Sequence, residues 1–149
     1  MATIYHQVRM DAPAAKLYKA ISTAKGIASW WDKPTDTQTD VGSVLEFDPG
    51  PEHGVLKMKV LKVLPGKLVE WECISRHPKT SPASAWKGTH IIFEISEKAP
   101  MSFEITKRKH LAVLDFRHSG WDKSNKYFGF CNFGWGEALS KLRKLCESK

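Results

Sequence analysis

The stretch Lys126–Glu147, KYFGFCNFGWGEALSKLRKLCE, decides the fold. Its apolar residues recur as Phe128, Cys131, Trp135, Ala138, Leu139, Leu142 and Leu145, at steps of three and four. That spacing lines one face of an α-helix of about six turns. Gly129, Gly134 and Gly136 weaken its first half by about 1 kcal/mol each relative to Ala. Tertiary packing must therefore hold that half, and close approach of helix to sheet is the expected reason for the glycines.

Upstream of this helix the period changes from 3.6 to 2. Thr3–Met10 alternates, with Ile4, Val8 and Met10 on one face. Asp11-Ala12-Pro13 offers a capping side chain and a first-turn proline, and Ala14, Leu17, Tyr18 and Ile21 continue at helical spacing, predicting a helix over 13–22. A second short helix is expected over 23–31, weakened by Gly26 and ended by Lys33-Pro34. Alternation then resumes. Leu45 and Phe47 oppose Glu46 and Asp48; Leu56, Met58 and Val60 oppose Lys57 and Lys59; Val69, Trp71 and Cys73 oppose Glu70 and Glu72. Thr89, Ile91, Phe93 and Ile95 form another face, and Ala112, Leu114, Phe116 and His118 another, with Asp115 and Arg117 turned away. Short turns such as Pro65-Gly66 join the strands into an antiparallel meander. Residues 97–110, in which Met101, Phe103 and Ile105 alternate with polar residues, read equally as a further strand or as a lengthened hairpin arm.

The implied class is α+β. A sheet of six or seven strands needs one apolar face covered, and only the terminal helix is long enough. Curling the sheet around it leaves a gap beneath the two short helices, where small-molecule sites are favoured. One domain over 1–149 is expected, since no linker or repeat divides the chain.

The 149 residues carry 42% hydrophobic and 26% charged residues, which excludes a disordered chain, and no apolar run approaches the ~20 residues of a membrane span. Met1–Met10 lacks the apolar block of a signal peptide, so a cytoplasmic location is expected. Cys73, Cys131 and Cys146, distant and odd in number, fit buried reduced thiols. The net charge of +7 raises nucleic acid as a partner, yet the basic residues are scattered, and the densest run is Lys107-Arg108-Lys109. Nucleic acid is not expected.

Several motifs together resemble the START-like (SRPBCC, helix-grip) superfamily, and within it the activator of heat-shock-protein-90 ATPase homologue group. They are Asp11-Ala12-Pro13 before Leu17-Tyr18-Lys19-Ala20-Ile21; Trp30-Trp31; Gly42 with Phe47; Val60 through Pro65 to Trp71; Gly88-Thr89 with Phe93-Glu94; Phe116 to Trp121; and Asn132 to Trp135 leading to Leu139, Leu142 and Leu145. The resemblance spans nearly the whole chain. It implies a helix-grip fold with an apolar cavity, among relatives that include lipid carriers, cyclases, hormone receptors and co-chaperones. It also implies a stress-response setting and a chaperone as a further partner, although the chain corresponds to the C-terminal half of the full activator.

Six tryptophans are many for this length. Each can be read as simple core, yet together they exceed what a core needs. Trp30, Trp31, Trp71, Trp121 and Trp135 are expected to face the cavity or its rim, with Phe47, Met58, Phe93, Phe116 and Phe128 completing the wall beside Cys131. His118 points inward, either to orient a ligand or as a core histidine bonded to a backbone carbonyl. His6 and His90 have no partner in the pattern, and His53, His77 and His110 are expected to be solvated in turns.

No HExxH, Walker loop, GxGxxG or GxSxG occurs, so no metal and no cofactor is expected and nothing demands catalysis. The expected function is binding of a small hydrophobic molecule by a monomer or weak homodimer. The alternatives are a co-chaperone acting on a chaperone ATPase, and a cyclase-type enzyme using His118 or Arg117.

Overall fold

The computed structural model describes residues 1–148, and Lys149, the last residue of the expected domain, lies outside them. The element order is β1 (Ala2–Met10), α1 (Ala14–Ser22), α2 (Ala24–Ala28), β2 (Val44–Phe47), β3 (Leu56–Leu64), β4 (Leu68–Cys73), a helical turn at Pro82–Ala85, β5 (His90–Lys98), β6 (Leu111–Trp121) and α3 (Phe128–Glu147). The strands form one curved antiparallel sheet in the order β1-β6-β5-β4-β3-β2, so α+β helix-grip architecture holds with six strands.

Register explains how distant residues meet. One row crosses the sheet from Ile4 through His118, Ile91 and Trp71 to Val60; the next runs His6, Phe116, Phe93, Val69 and Val63. Because side chains alternate between faces, each row presents its residues to a single side. Ile4, His118, Ile91, Trp71, Val60, Phe116, Phe93 and Val69 are all buried, so this side is the core. Helix α3 covers it with Cys131, Trp135, Leu139, Leu142 and Cys146.

Three local expectations need correction. Helix α2 covers five residues rather than nine. Gly26 is not merely a weak point in it: a Cβ there would stand 2.4 Å from the Lys19 carbonyl oxygen, so only glycine lets α2 close on α1. The Trp30 indole N–H then donates to the Ala20 carbonyl at 2.9 Å and fixes the chain leaving α2.

Asp11 does not cap α1, whose N-cap position is Pro13 and which has no side-chain cap. Its carboxylate instead accepts a hydrogen bond from Thr106 Oγ1 at 2.7 Å and so holds the β5–β6 loop.

The glycines of α3 are not explained by close packing throughout. Only Gly136 approaches a neighbour, since a Cβ at that position would stand 3.6 Å from His6 Cε1, while Gly129 and Gly134 face open space.

The ambiguous stretch 97–110 divides: Glu97 and Lys98 lengthen the hairpin arm, paired with Ala112 and Leu111, and the rest is no strand. β5 ends at Lys98 and residues 99–110 form an irregular loop.

Candidate functional site

Five elements and the segment after α2 send aromatic rings into the space between sheet and α3. Phe47 comes from β2, Trp71 from β4, Phe93 from β5, Phe116 and His118 from β6, and Trp135 from α3, while Trp30 and Trp31 follow α2. Trp31 stands at the centre. Its ring centroid lies 4.9 Å from Phe47, 5.2 Å from Trp135 and 6.0 Å from Trp71, the last nearly parallel at 17°. Phe116 approaches Trp135 to 4.5 Å, and Trp71 meets Phe93 edge-on at 5.0 Å. Trp30 meets the edge of Phe93 at 6.1 Å. Near the end of β6, Trp121 packs between His118 at 5.2 Å and Phe128 at 5.6 Å. Met58 is fully buried in the same core.

The sequence predicts an unfilled space here, and the structure corrects that. Indole and phenyl rings in offset and edge contact occupy the space between the sheet and α3, because such pairs attract one another beyond their burial. An open cavity of about 230 Å³ lies beside the rings, between α1–α2 and strands β2–β4. Its walls are Ile21, Ile27, Leu45, Val69 and Trp71, and Tyr18, Thr39 and Asp40 bring polar atoms to it. Trp71 thus belongs to both the ring cluster and the cavity. A larger surface groove of about 660 Å³ lies elsewhere, between the start of α1, the end of α3 and the β5–β6 loop.

One tryptophan escaped the sequence reading. Trp86 stacks on Trp135 at 5.8 Å and on Trp31 at 6.4 Å, and its indole N–H reaches Cys131 Sγ at 3.5 Å. It follows the turn Pro82–Ala85, where no periodicity marks a face; Gly88 two residues on was the one available sign of a fixed backbone there. Trp31 and Trp86 are part-exposed, unlike the buried Trp71 and Trp135. Together they form the outer layer of the cluster.

His118 is bonded through side chains rather than to a carbonyl. Trp135 Nε1–H donates to Nδ1 at 3.0 Å, and an indole can only donate. Nδ1 is therefore the acceptor, the proton sits on Nε2, and Nε2–H donates to Thr89 Oγ1 at 2.8 Å. The Thr89 hydroxyl donates its own proton to the Trp86 carbonyl. Burial lowers the His118 pKa to about 3, so the ring is neutral. With both nitrogens engaged, it has no free lone pair for a general base. Gly120, at φ +93°, brings β6 against Thr89, where a Cβ would lie 3.4 Å from the Thr89 Cα. In contrast, the Trp121 Nε1–H is buried with no acceptor.

Of the remaining histidines, His110 is exposed in the β5–β6 loop as expected, and the others differ from expectation. His90 Nδ1 lies 2.7 Å from Glu70 on the outer face. His77 bridges Ser75 and the His53 carbonyl, both at 2.7 Å, and His53 contacts Ser81 at 2.8 Å, clipping two loops together. His6 Nε2 lies 3.2 Å from the Asn132 carbonyl. Arg117 points outward as predicted and pairs with Glu94 at 3.1 Å. Among the described residues, no group of three or more His, Cys, Asp or Glu is placed to hold a metal ion, and no helix is long and apolar enough to cross a membrane.

Comparison with known families finds a match over residues 11–147 to "Activator of Hsp90 ATPase homolog 1-like protein". The chain belongs to this family. Among solved structures, it is similar to the Aha1 dimer from Colwellia psychrerythraea, at 28% identity, 99% of this chain, 97% of that one and a TM-score of 0.72. It is also similar to protein MLL2253 from Mesorhizobium loti, at 22% identity, 97% and 96% coverage and a TM-score of 0.72. Protein BH1534 from Bacillus halodurans matches at 19% identity, 99% and 98% coverage and a TM-score of 0.72. The last two carry the fold alone. No curated protein sequence matches the chain. For an Activator of Hsp90 ATPase homolog 1-like protein, the aromatic cluster and its side cavity are the features whose chemistry needs an account.

Proposed function

We propose that the chain acts as one cytoplasmic START-like domain over 1–149 that binds a small hydrophobic molecule. The supporting observation is the cavity of about 230 Å³ whose floor is Trp71. At ~30 Å³ per water it has room for roughly seven waters, or for a compound of about one ring. Larger guests enter by displacing Trp31 and Trp86, the part-exposed layer, while Trp30, Phe47, Met58, Phe93, Phe116 and Trp135 stay as walls. At the other end of the core, outside this cavity, the Trp121 N–H is buried without an acceptor, at a cost of about 1–3 kcal/mol. Phe128 and Cys131 border that end, beside His118.

A thermal-shift screen with one- and two-ring apolar compounds tests this reading. A ligand at a hundred times its Kd stabilises by about 2.7 kcal/mol, which raises Tm by roughly 5–10 °C in a chain of this size. No shift with any apolar compound contradicts it.

Family membership favours a second reading, a partner role toward a chaperone ATPase, and the homologous Colwellia structure is a dimer. An ATPase assay of the chaperone with and without this protein decides; an unchanged rate removes the reading. The engagement of both His118 nitrogens disfavours a cyclase in which His118 moves protons.

A further inference from the structure

The β5–β6 loop displays the wrong side of its sequence. Phe103 is 76% exposed, Ile105 99% and Met101 44%, while Glu104 and Thr106 turn toward the body. Glu104 is held by Arg9, whose Nε and Nη2 donate to both carboxylate oxygens at 2.8 to 3.1 Å. Arg9 Nη2 also donates to the Ala99 carbonyl at 3.2 Å, and the Met101 N–H donates to Glu104 at 2.8 Å. Thr106 is held by Asp11, and the Arg108 N–H donates to Thr106 Oγ1 at 3.0 Å. Arg9 and Asp11 lie at the end of β1, a strand paired along its length with β6. The apolar tip is therefore presented by a fixed frame.

The charges around the tip are mainly positive. Lys98 precedes it, and Lys107, Arg108 and Lys109 follow. Glu104 is neutralised by Arg9, Arg108 lies 3.6 Å from Asp11, and the acids left nearby are Glu97, near the end of β5, and Glu147, in the groove that Ile105 and Lys107 also line. A protruding aromatic and aliphatic tip with a basic rim matches an anionic bilayer. The side chains enter the acyl boundary and the cations meet the headgroups. A second copy fits less well, because two chains of net charge +7 would bring like-charged rims together. Single-stranded nucleic acid is also disfavoured, since Ile105 and Met101 offer no ring for stacking.

We propose that the β5–β6 loop, through Met101, Phe103 and Ile105 with Lys107 and Lys109, docks the protein on anionic membrane surfaces. This docking stands apart from the cavity and does not depend on its having a ligand.

Co-sedimentation of the whole chain with vesicles tests it. Binding is expected to vesicles of phosphatidylcholine containing one third phosphatidylserine, little to phosphatidylcholine alone, and less at half-molar salt. The Phe103→Ser/Ile105→Ser variant, altered only at exposed positions, should bind at least about tenfold more weakly. Lys107→Gln/Lys109→Gln should lose roughly thirtyfold, from ~1 kcal/mol per cation. Absence of wild-type binding to the anionic vesicles overturns the proposal, as does equal binding by Phe103→Ser/Ile105→Ser. Sedimentation velocity supplies a second readout: a wild-type dimer that Phe103→Ser/Ile105→Ser dissociates would assign the loop to a second copy and overturn membrane docking.

Discussion

Trp135 on α3 donates its indole N–H to Nδ1 of His118 on β6, at 3.0 Å, across the interface between helix and sheet. This polar link lies among apolar rings and fixes the histidine tautomer. Replacing Trp135 with Phe leaves Nδ1 unpaired and removes part of a ring packed on Phe116. The expected loss of stability is about 2–4 kcal/mol. Urea unfolding measures it, and a double-mutant cycle with His118→Leu should give a coupling of about 0.5–3 kcal/mol. Additive losses would mean that the bond contributes nothing.

The same histidine predicts a pH dependence. His118 has a folded pKa of about 3 against an ordinary 6.5, so the unfolded chain takes up a proton that the native one refuses. No stability is lost through this group above the ordinary value; below it the loss grows as pH falls toward 3. At about pH 5 it amounts to about 2 kcal/mol. The gap in stability between wild type and His118→Leu should therefore narrow by that amount from neutral pH to pH ~5. A constant gap contradicts the buried neutral ring.

The legible parts of this fold were those set by local repetition. Leu56, Met58 and Val60 are buried and Lys57 and Lys59 exposed, as their alternation required, and the spacing from Cys131 to Leu142 placed α3 correctly. The β5–β6 loop shows why alternation alone fails elsewhere. Met101, Phe103 and Ile105 repeat like a strand, yet the side facing inward is chosen by Arg9 and Asp11, ninety-odd residues earlier in the chain. Trp86 lay in an aperiodic turn, so nothing local showed that it joins Trp31 and Trp135. Whether the aromatic interior would be hollow or filled was likewise beyond the sequence, because ring orientations, not residue types, set the remaining volume.

The three cysteines should be chemically quiet. Burial raises the thiol pKa of Cys73 and Cys131, and that of Cys146 to about 11, so little thiolate exists at neutral pH. A chromogenic disulfide reagent should react slowly with the native protein and rapidly with all three thiols in denaturant. Fast native labelling would mean that the core opens readily.

Glu104 predicts how firmly the β5–β6 loop is held. Hydrogen bonds from Arg9 lower its carboxyl pKa, so the anchor is intact above the ordinary carboxylate range and is lost as pH falls through the lowered value. Glu104→Gln keeps the shape and removes the charge. Tryptic cleavage within residues 98–109 should be faster in that variant at neutral pH, with the rest of the chain equally resistant. Unchanged cleavage would show that Thr106 and Asp11 suffice.

The binding account is tested most directly by titrating a one-ring apolar compound such as indole into methyl-labelled protein and following the side-chain resonances. Saturable shifts are predicted for Ile21, Ile27, Leu45 and Val69, together with the Trp71 indole, and none for the exposed Val41 and Val55. Shifts that stay absent from those cavity methyl groups at saturating compound would contradict it.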